Sequence, residues 1–263
     1  MLDEKFQTKI DLLIKEIPNV IDNFKKWGYR KNFDFFLYRM IINERKKYNL
    51  DLLLEEEKDN FFIAMIYSTL ISWDMAKRGA QIKNFDMFQE NILENRENLL
   101  KVSDIKLNKL DSEKEFLKIK NILEDIYNNL DLMESVSKIV SNSKTLHFLL
   151  PDLIMPIDTQ NTLKFFSTSE KLGSADVFLK IIKSTWIIAK NIDLNKYLDK
   201  ERNATIPKII DNSIIYLMHS NKYEPKRFKD FQMKIEKGGI TKINSNKLSE
   251  ELKIRIKQYF SYD

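Results

Sequence analysis

Along most of the chain, apolar residues recur every three or four positions and short polar breaks separate the stretches, a spacing typical of helices with one buried face. Pro18 is expected to end or kink the first helix, with a second short helix running from Asn19 to Trp27. The pattern then predicts a helix from Asn32 onwards and further helices over residues 51–76, 84–100, 111–130 and 207–219.

The most apolar stretch, FFIAMIYSTLIS, lies within residues 51–76, and we expect it to form the central buried helix of the first half. This predicted helix ends in a polar and aromatic cluster formed by Trp73, Asp74, Lys77 and Arg78. Two interpretations stay open. The cluster is either an ordinary helix end with a basic last turn, or the edge of a cleft in which Lys77 and Arg78 contact phosphates.

Composition supports an all-α fold. Glycine and proline are scarce at five each among 263 residues, 43% of the residues are hydrophobic and 32% are charged. Valine and threonine are few beside leucine, isoleucine, lysine and glutamate, a balance that favours helix over sheet. No internal repeat or long linker divides the chain. We therefore expect one composite helical domain over residues 1–220, followed by a basic C-terminal extension over residues 221–263.

Several classes of site are excluded by residue content. The chain has no cysteine and only two histidines, which excludes disulfides, thiolate metal sites and histidine-rich metal sites. No cofactor and no metal are expected, although a carboxylate Mg²⁺ site stays open. No run approaches the roughly 18 apolar residues of a membrane span, and the N-terminus lacks an apolar signal segment. We expect a cytoplasmic protein without a membrane partner.

The positive charge is concentrated at the C-terminal end. The net charge is +5, and the last 44 residues hold eleven Lys and Arg, Lys226 and Arg227 among them, against six acids. Aromatic residues are interleaved with these cations. Such a segment either attracts a phosphate backbone through counterion release, or is a lysine-rich surface that keeps the helices solvated.

The stretch from Ser141 to Phe166 holds the densest set of capping residues, prolines and reactive side chains. Ser141, Asn142 and Ser143 predict a cap cluster that opens a short helix from Lys144, leaving free N–H groups suited to a phosphate. Asp158 precedes a second predicted helix over residues 160–166. At that position the helix dipole keeps a carboxylate ionised. Asp158 is either a functional anion or a simple cap.

Two segments of this stretch resemble a known enzyme family. Ser143-Lys144-Thr145-Leu146 and then Ile157-Asp158-Thr159-Gln160 resemble, in that order, two motifs of the helix-hairpin-helix DNA glycosylase superfamily. Members carry a hairpin ending in Gly-Arg-Lys-Thr-Ala and, after an apolar helix, a Val-Asp-Thr-His segment with the catalytic aspartate. The resemblance continues weakly into Lys171-Leu172-Gly173 and the helix predicted at 207–219, covering about residues 51–220.

The resemblance implies the fold of this superfamily, DNA as partner and a role for each matching residue. Asp158 would be the catalytic carboxylate at a flipped-out nucleotide, and Lys144 the Schiff-base nucleophile of a glycosylase/lyase. DNA contacts would come from Ser141, Ser143 and Thr145, which stand where the family has its glycine-containing hairpin. Trp73 and Tyr67 would offer stacking surfaces for a base, or else belong to the core.

His147 lies one turn after Lys144 and is interpreted either as a cleft residue or as a hydrogen-bonded core residue. Two functions are therefore expected. The first is a DNA-binding protein that acts as a DNA repair glycosylase, or glycosylase/lyase, and excises a damaged or modified base. The alternative is a non-catalytic helical module that binds nucleic acid or a protein partner.

Overall fold

The described part of the chain is helical throughout. The computed structural model describes residues 2, 4–26, 33–55, 60–73, 75, 81–135, 138–168, 174–199 and 201–220. Its α-helices are α1 (Glu4–Lys26), α2 (Phe33–Lys47), α3 (Leu50–Leu53), α4 (Phe61–Ser72), α5 (Phe85–Glu94), α6 (Arg96–Val102), α7 (Glu113–Asn129), α8 (Ile139–Leu149), α9 (Ala175–Asn191) and α10 (Ile206–Ser220). These ranges contain no β-strand, and Ile82 and Met133 form an isolated antiparallel bridge. The all-α prediction is confirmed.

Shorter helical turns connect some of these elements. Leu107–Lys109 and Asn195–Tyr197 are 3₁₀ turns, and Thr159–Leu163 is a π-helical turn. Turns of the π type are rare and occur often at functional sites.

The first helix differs from its prediction. Pro18 lies inside α1, so the two helices expected on either side of it are one helix from Glu4 to Lys26. Apolar side chains on both sides of the proline, Ile17 and Ile21 among them, are buried in the core. Their packing keeps the chain helical across a residue that cannot donate the usual backbone hydrogen bond.

Two predicted long helices are each interrupted by an asparagine cap. The predicted helix over residues 51–76 is divided into α3 and α4, and Asn60 caps α4 by accepting a hydrogen bond from the Ile63 N–H at 3.0 Å. The predicted helix over residues 84–100 breaks at Asn95 into α5 and α6. By contrast, α7 follows its prediction, and Ser112 caps it by accepting from the Glu115 N–H at 3.3 Å.

The centre of the core is α4, as the apolar stretch predicts. Ile63, Ile66 and Leu70 are fully buried, and α4 packs against α2, α5 and α8. Helix α4 is apolar on nearly every face, so its burial requires neighbouring helices on several sides.

A second packing layer joins the two ends of the described chain. Helix α1 packs most extensively against α10 and also contacts α9, which in turn packs on α7. The ring of Phe6 stacks on that of Phe166 with centroids 5.0 Å apart, and Lys5 Nζ donates to the Ser167 carbonyl at 2.5 Å. These contacts fix the segment that follows the π-helical turn.

Helix α10 ends at Ser220, where the sequence predicts the start of the basic extension. The extension itself, with Lys226 and Arg227, lies outside the described residues, so the division into two parts stays a prediction. Among the helices that the structure describes, none has the length and apolar content needed to cross a membrane.

Candidate functional site

Asp158 begins the π-helical turn Thr159–Leu163 and caps it. Its Oδ1 accepts hydrogen bonds from the Gln160 N–H at 2.7 Å, the Asn161 N–H at 2.9 Å and the Asn161 Nδ2 at 3.1 Å. In return the Asp158 N–H donates to Thr162 Oγ1 at 3.3 Å. The predicted cap is confirmed, and one carboxylate oxygen is held in a fixed position while the residue stays partly exposed.

The second carboxylate oxygen of Asp158 takes part in none of these bonds. None of the described residues donates a hydrogen bond to Oδ2. The carboxylate is therefore anchored through one oxygen and presents the other. Such an arrangement suits an anion that must act on an external group without itself moving.

Lys144 is placed by α8 above an aromatic ring. Its Nζ lies 4.9 Å from the ring centroid of Trp73, which follows the last residue of α4. Trp73 is half-buried, and its ring packs on Phe148 with centroids 5.5 Å apart. A cation over the face of tryptophan is stabilised by the ring quadrupole. Lys144 and Trp73, both predicted site residues, thus lie together.

A buried carboxylate on α10 pairs with a lysine of the same helix. Asp211 on α10 is 3% exposed and pairs with Lys208, whose Nζ lies 2.5 Å from Asp211 Oδ2. Burial raises the pKa of Asp211, and the positive charge of Lys208 opposes this effect. The charges of Asp158 and Lys144 also act on this pKa, the first raising it and the second lowering it. The two motifs themselves are joined by the Ile157 N–H, next to Asp158, which donates to Ser143 Oγ, next to Lys144, at 3.0 Å.

A neutral histidine is buried on α8, one turn after Lys144. His147 Nδ1 is 2.7 Å from the Ile154 carbonyl oxygen, and its Nε2 is 3.2 Å from the hydroxyl of Tyr38. A carbonyl only accepts, so Nδ1 carries the proton and Nε2 accepts from Tyr38. Burial lowers the pKa of His147 to about 3 and raises the pKa of Tyr38. His147 is the hydrogen-bonded core residue of the two interpretations.

The exposed side of the π-helical turn carries a second imidazole. His219, on the last turn of α10, lies with its Nε2 2.8 Å from Asn161 Oδ1. Asn161 in turn donates to the Asp158 carboxylate, so a hydrogen-bonded chain joins Asp158, Asn161 and His219. Asp158 is thereby connected to α10 at the surface.

The predicted cap cluster is wrong in its local structure. Helix α8 begins at Ile139, so Ser141, Asn142 and Ser143 lie within it and not before it, and the Asn142 N–H already donates to the Lys138 carbonyl at 2.8 Å. Their side chains are buried and hydrogen-bonded: Ser141 donates to the Lys138 carbonyl at 3.0 Å, and Asn142 donates to the Leu130 carbonyl at 2.9 Å. Tertiary contacts, rather than capping, account for this polar run.

Ser143 has a positioning role. Its hydroxyl donates to the Val140 carbonyl at 3.2 Å and accepts from the Ile157 N–H at 3.0 Å, next to Asp158. Thr145 is fully buried, and its hydroxyl meets no hydrogen-bond partner among the described residues. With Ser141, Ser143 and Thr145 inside the protein, the structure offers none of these hydroxyls at the surface, and their contact with DNA stays a prediction.

Tyr67 belongs to the core packing. Its side chain is only 9% exposed, its hydroxyl donates to the Lys83 carbonyl at 3.0 Å, and its ring meets the rings of Phe85 and Phe88 edge-on. Stacking on a base by Tyr67 stays a prediction. The predicted phosphate contacts Lys77 and Arg78 lie outside the described residues, as do Lys226 and Arg227.

Two charged residues of the site escaped the sequence prediction. Lys208 and Asp211 lie three positions apart in IPKIIDNSIIYLM, an otherwise largely apolar helix sequence, and that spacing brings them together on one helix face. An ion pair placed in an apolar helix is the sequence signal that would have found them. Within the described ranges, no group of three or more histidine and acidic side chains is arranged to hold a metal ion.

Comparisons of this chain with protein-family models, with curated proteins and with solved structures found no match. The two sequence motifs, the hydrogen bond between them and the placement of Lys144 over Trp73 therefore carry the functional proposal.

Proposed function

We propose that this chain binds DNA and excises a damaged or modified base, with Asp158 as the catalytic carboxylate. The observation that supports this most directly is the hydrogen bond from the Ile157 N–H to Ser143 Oγ at 3.0 Å, which joins the neighbour of Asp158 to the neighbour of Lys144. The two residues come from separate motifs, on α8 and at the π-helical turn, and folding brings them into one region. An anion, a cation and the Trp73 ring together suit a flipped-out nucleotide.

In this mechanism Asp158 acts on the sugar. As the bond between C1′ and the base nitrogen breaks, positive charge develops on the sugar ring, and a carboxylate held by three hydrogen bonds stabilises that charge without reorganising. Water then adds to C1′ and loses a proton, and the departing base takes one up. In a glycosylase/lyase, the deprotonated Lys144 amine adds to C1′ in place of water and loses a proton. The C1′–O4′ bond then breaks, the ring oxygen takes up a proton, and the open sugar is held as a Schiff base.

The test is base release from duplexes that carry uracil, 8-oxoguanine, an alkylated base or an abasic site, with borohydride trapping in parallel. Asp158→Asn keeps a side-chain oxygen for the cap and removes the charge, so we expect normal folding and a loss of release of about 100-fold or more. Asp152→Asn is the matched control, since Asp152 lies in the turn after α8 and is not a predicted site residue, and it should retain activity. Loss of the trapped adduct in Lys144→Gln would establish the lyase step.

A non-catalytic helical module is the second candidate. It is favoured by the capping bonds that already occupy Asp158 Oδ1, and by the burial of Ser141 and Ser143. In that case no duplex releases a base, and Asp158→Ala costs only the lost cap, about 0.5–2 kcal/mol of unfolding free energy. A DNA affinity that falls steeply with salt would then indicate phosphate contacts, and a flat response would indicate a protein partner.

A further inference from the structure

A cavity of about 320 Å³ lies between α2 and the loop that precedes α10, outside the set of residues around Asp158. Each side contributes at least one charged residue, and the lining consists of Arg39, Ile42, Asn43, Lys46, Glu201 and Ala204. Arg39, Asn43 and Lys46 follow one another at helical spacing, so they share one face of α2. That face presents two cations and an amide to the cavity.

Arg39 has an incompletely satisfied guanidinium group. Its Nε–H is shielded from solvent and meets no hydrogen-bond acceptor in the described part of the chain. Buried donors in proteins are nearly always paired, and an exception calls for an explanation such as an absent ion or ligand. An acceptor-rich group in the cavity would allow the Arg39 side chain to turn and satisfy its donors.

The rest of the lining is held in place by hydrogen bonds. Lys46 Nζ donates to the Ala204 carbonyl at 3.0 Å, which joins α2 to the opposite wall. The loop is shaped by Asp199, whose Oδ1 accepts from the Glu201 N–H and the Asn203 N–H, both at 2.9 Å. An ammonium has three donors, so Lys46 can bind a ligand while it keeps this bond.

We propose that this cavity binds a small phosphate monoester, with its phosphoryl group between Arg39 and Lys46 and a hydroxyl or amino group of the ligand donating to Glu201. A phosphoryl group carries a charge of about −1.5 to −2 and three acceptor oxygens, which match two cations and the forked guanidinium. The Glu201 carboxylate disfavours a bare anion and favours a ligand with a donor at its other end. The volume is near the lower end of the roughly 300–1,000 Å³ of small-molecule sites.

Ribose 5-phosphate is a suitable probe, because it joins a phosphoryl group to hydroxyl donors. Titration calorimetry and thermal unfolding of the full chain are measured with ribose 5-phosphate, ribose, inorganic phosphate and a DNA duplex. We expect ribose 5-phosphate to bind and to raise the unfolding temperature, and ribose to do neither. In Arg39→Met the affinity for ribose 5-phosphate falls about tenfold or more. In Glu201→Gln the preference for the ester over inorganic phosphate decreases.

Arg96→Met is the matched control, since Arg96 on α6 also has a buried Nε without an acceptor but pairs with Asp51 and does not line this cavity. It should bind ribose 5-phosphate as the unchanged chain does. Should Arg39→Met fail to fold, Arg39→Lys keeps the charge, loses the fork and must still weaken binding. Equal affinity in the Arg39 variants, no binding of either phosphate, or binding of the duplex alone would overturn the proposal.

Discussion

At the scale of single residues, His147 shows how burial determines protonation. Both of its ring nitrogens are used in the neutral form, one donating to Ile154 and one accepting from Tyr38. Protonation would place an N–H against the Tyr38 hydroxyl proton in a region closed to water. The lowered pKa of about 3 follows from this burial.

The stability of the fold should therefore depend on pH through His147. In the unfolded chain the histidine binds a proton below about pH 6.5, whereas in the folded chain it stays neutral down to about pH 3. The stability that His147 contributes is thus complete above pH 6.5 and is lost as the pH falls from 6.5 towards 3. The expected slope is about 1.4 kcal/mol of unfolding free energy per pH unit in that window.

Urea unfolding of the unchanged chain and of His147→Gln, between pH 7.5 and pH 4.5, measures this contribution as a difference of slopes. The variant is less stable at every pH but should lose less stability on acidification. His219→Gln is the control, because His219 is exposed on the last turn of α10. The raised pKa of Asp211 works in the opposite sense and is common to all three proteins. Identical slopes for all three would contradict the prediction.

Individual residues were predicted well where a local bond decides their role. Asp158 was expected at the start of a helical turn and caps one, because its side chain reaches backbone N–H groups within the same turn. Asn142 and Ser143 have the same capping chemistry, but Asn142 donates to the end of α7 and Ser143 accepts from the Ile157 N–H. Sequence spacing does not reveal such tertiary partners.

At the scale of elements, Asn142 binds α8 to the end of α7. Its Nδ2 donates to the Tyr127 carbonyl at 3.2 Å and to the Leu130 carbonyl at 2.9 Å, and its side chain is fully buried. Helix α7 ends at this point, where its last carbonyls lack partners within the helix. A single amide therefore holds the last turn of one helix against the start of another.

Asn142→Ala should weaken this junction. The change leaves two buried carbonyls without a donor, and we expect a loss of about 2 kcal/mol or more in unfolding free energy. Denaturant unfolding measures it, with no change expected in the m-value. The control is Asn129→Ala at the exposed end of α7, which should stay within about 0.5 kcal/mol of the unchanged chain. A loss equally small for Asn142→Ala would show that water satisfies these carbonyls.

Element type was easier to predict than element ends. Apolar periodicity located α2, α7 and α10 because each buries one face continuously. Apolar periodicity predicted α3 and α4 as one helix, and α5 and α6 as another, because an asparagine at a break does not by itself interrupt the apolar spacing. It divided α1 at Pro18 because the buried contacts that keep the helix continuous lie on α9 and α10.

At the scale of the whole molecule, charge is distributed unevenly. The last 44 residues carry a net charge equal to that of the entire chain. If DNA is the partner, much of the salt-dependent part of its affinity should come from this extension.

A chain ending at Ser220 tests this distribution. Compared with the full chain, it should bind a DNA duplex more weakly and with a slope of log K against log salt that is smaller by at least about 3 units. Fluorescence anisotropy over a range of salt concentrations measures the slope, and circular dichroism checks that the helices are retained. A full chain in which Lys226 and Arg227 are replaced by glutamine should lie between the two. Equal slopes would place the DNA contacts within residues 1–220.

The packing of α1 against α10 also has a consequence for how the protein is made. The ribosome synthesises Glu4–Lys26 first among the described helices and Ile206–Ser220 last, yet these two helices are each other's most extensive neighbours. At about 5–20 residues per second, the apolar face of α1 waits roughly 10–40 s for its main partner. We expect chaperones to bind this face during translation, and a chain terminated before α10 would lack its main partner.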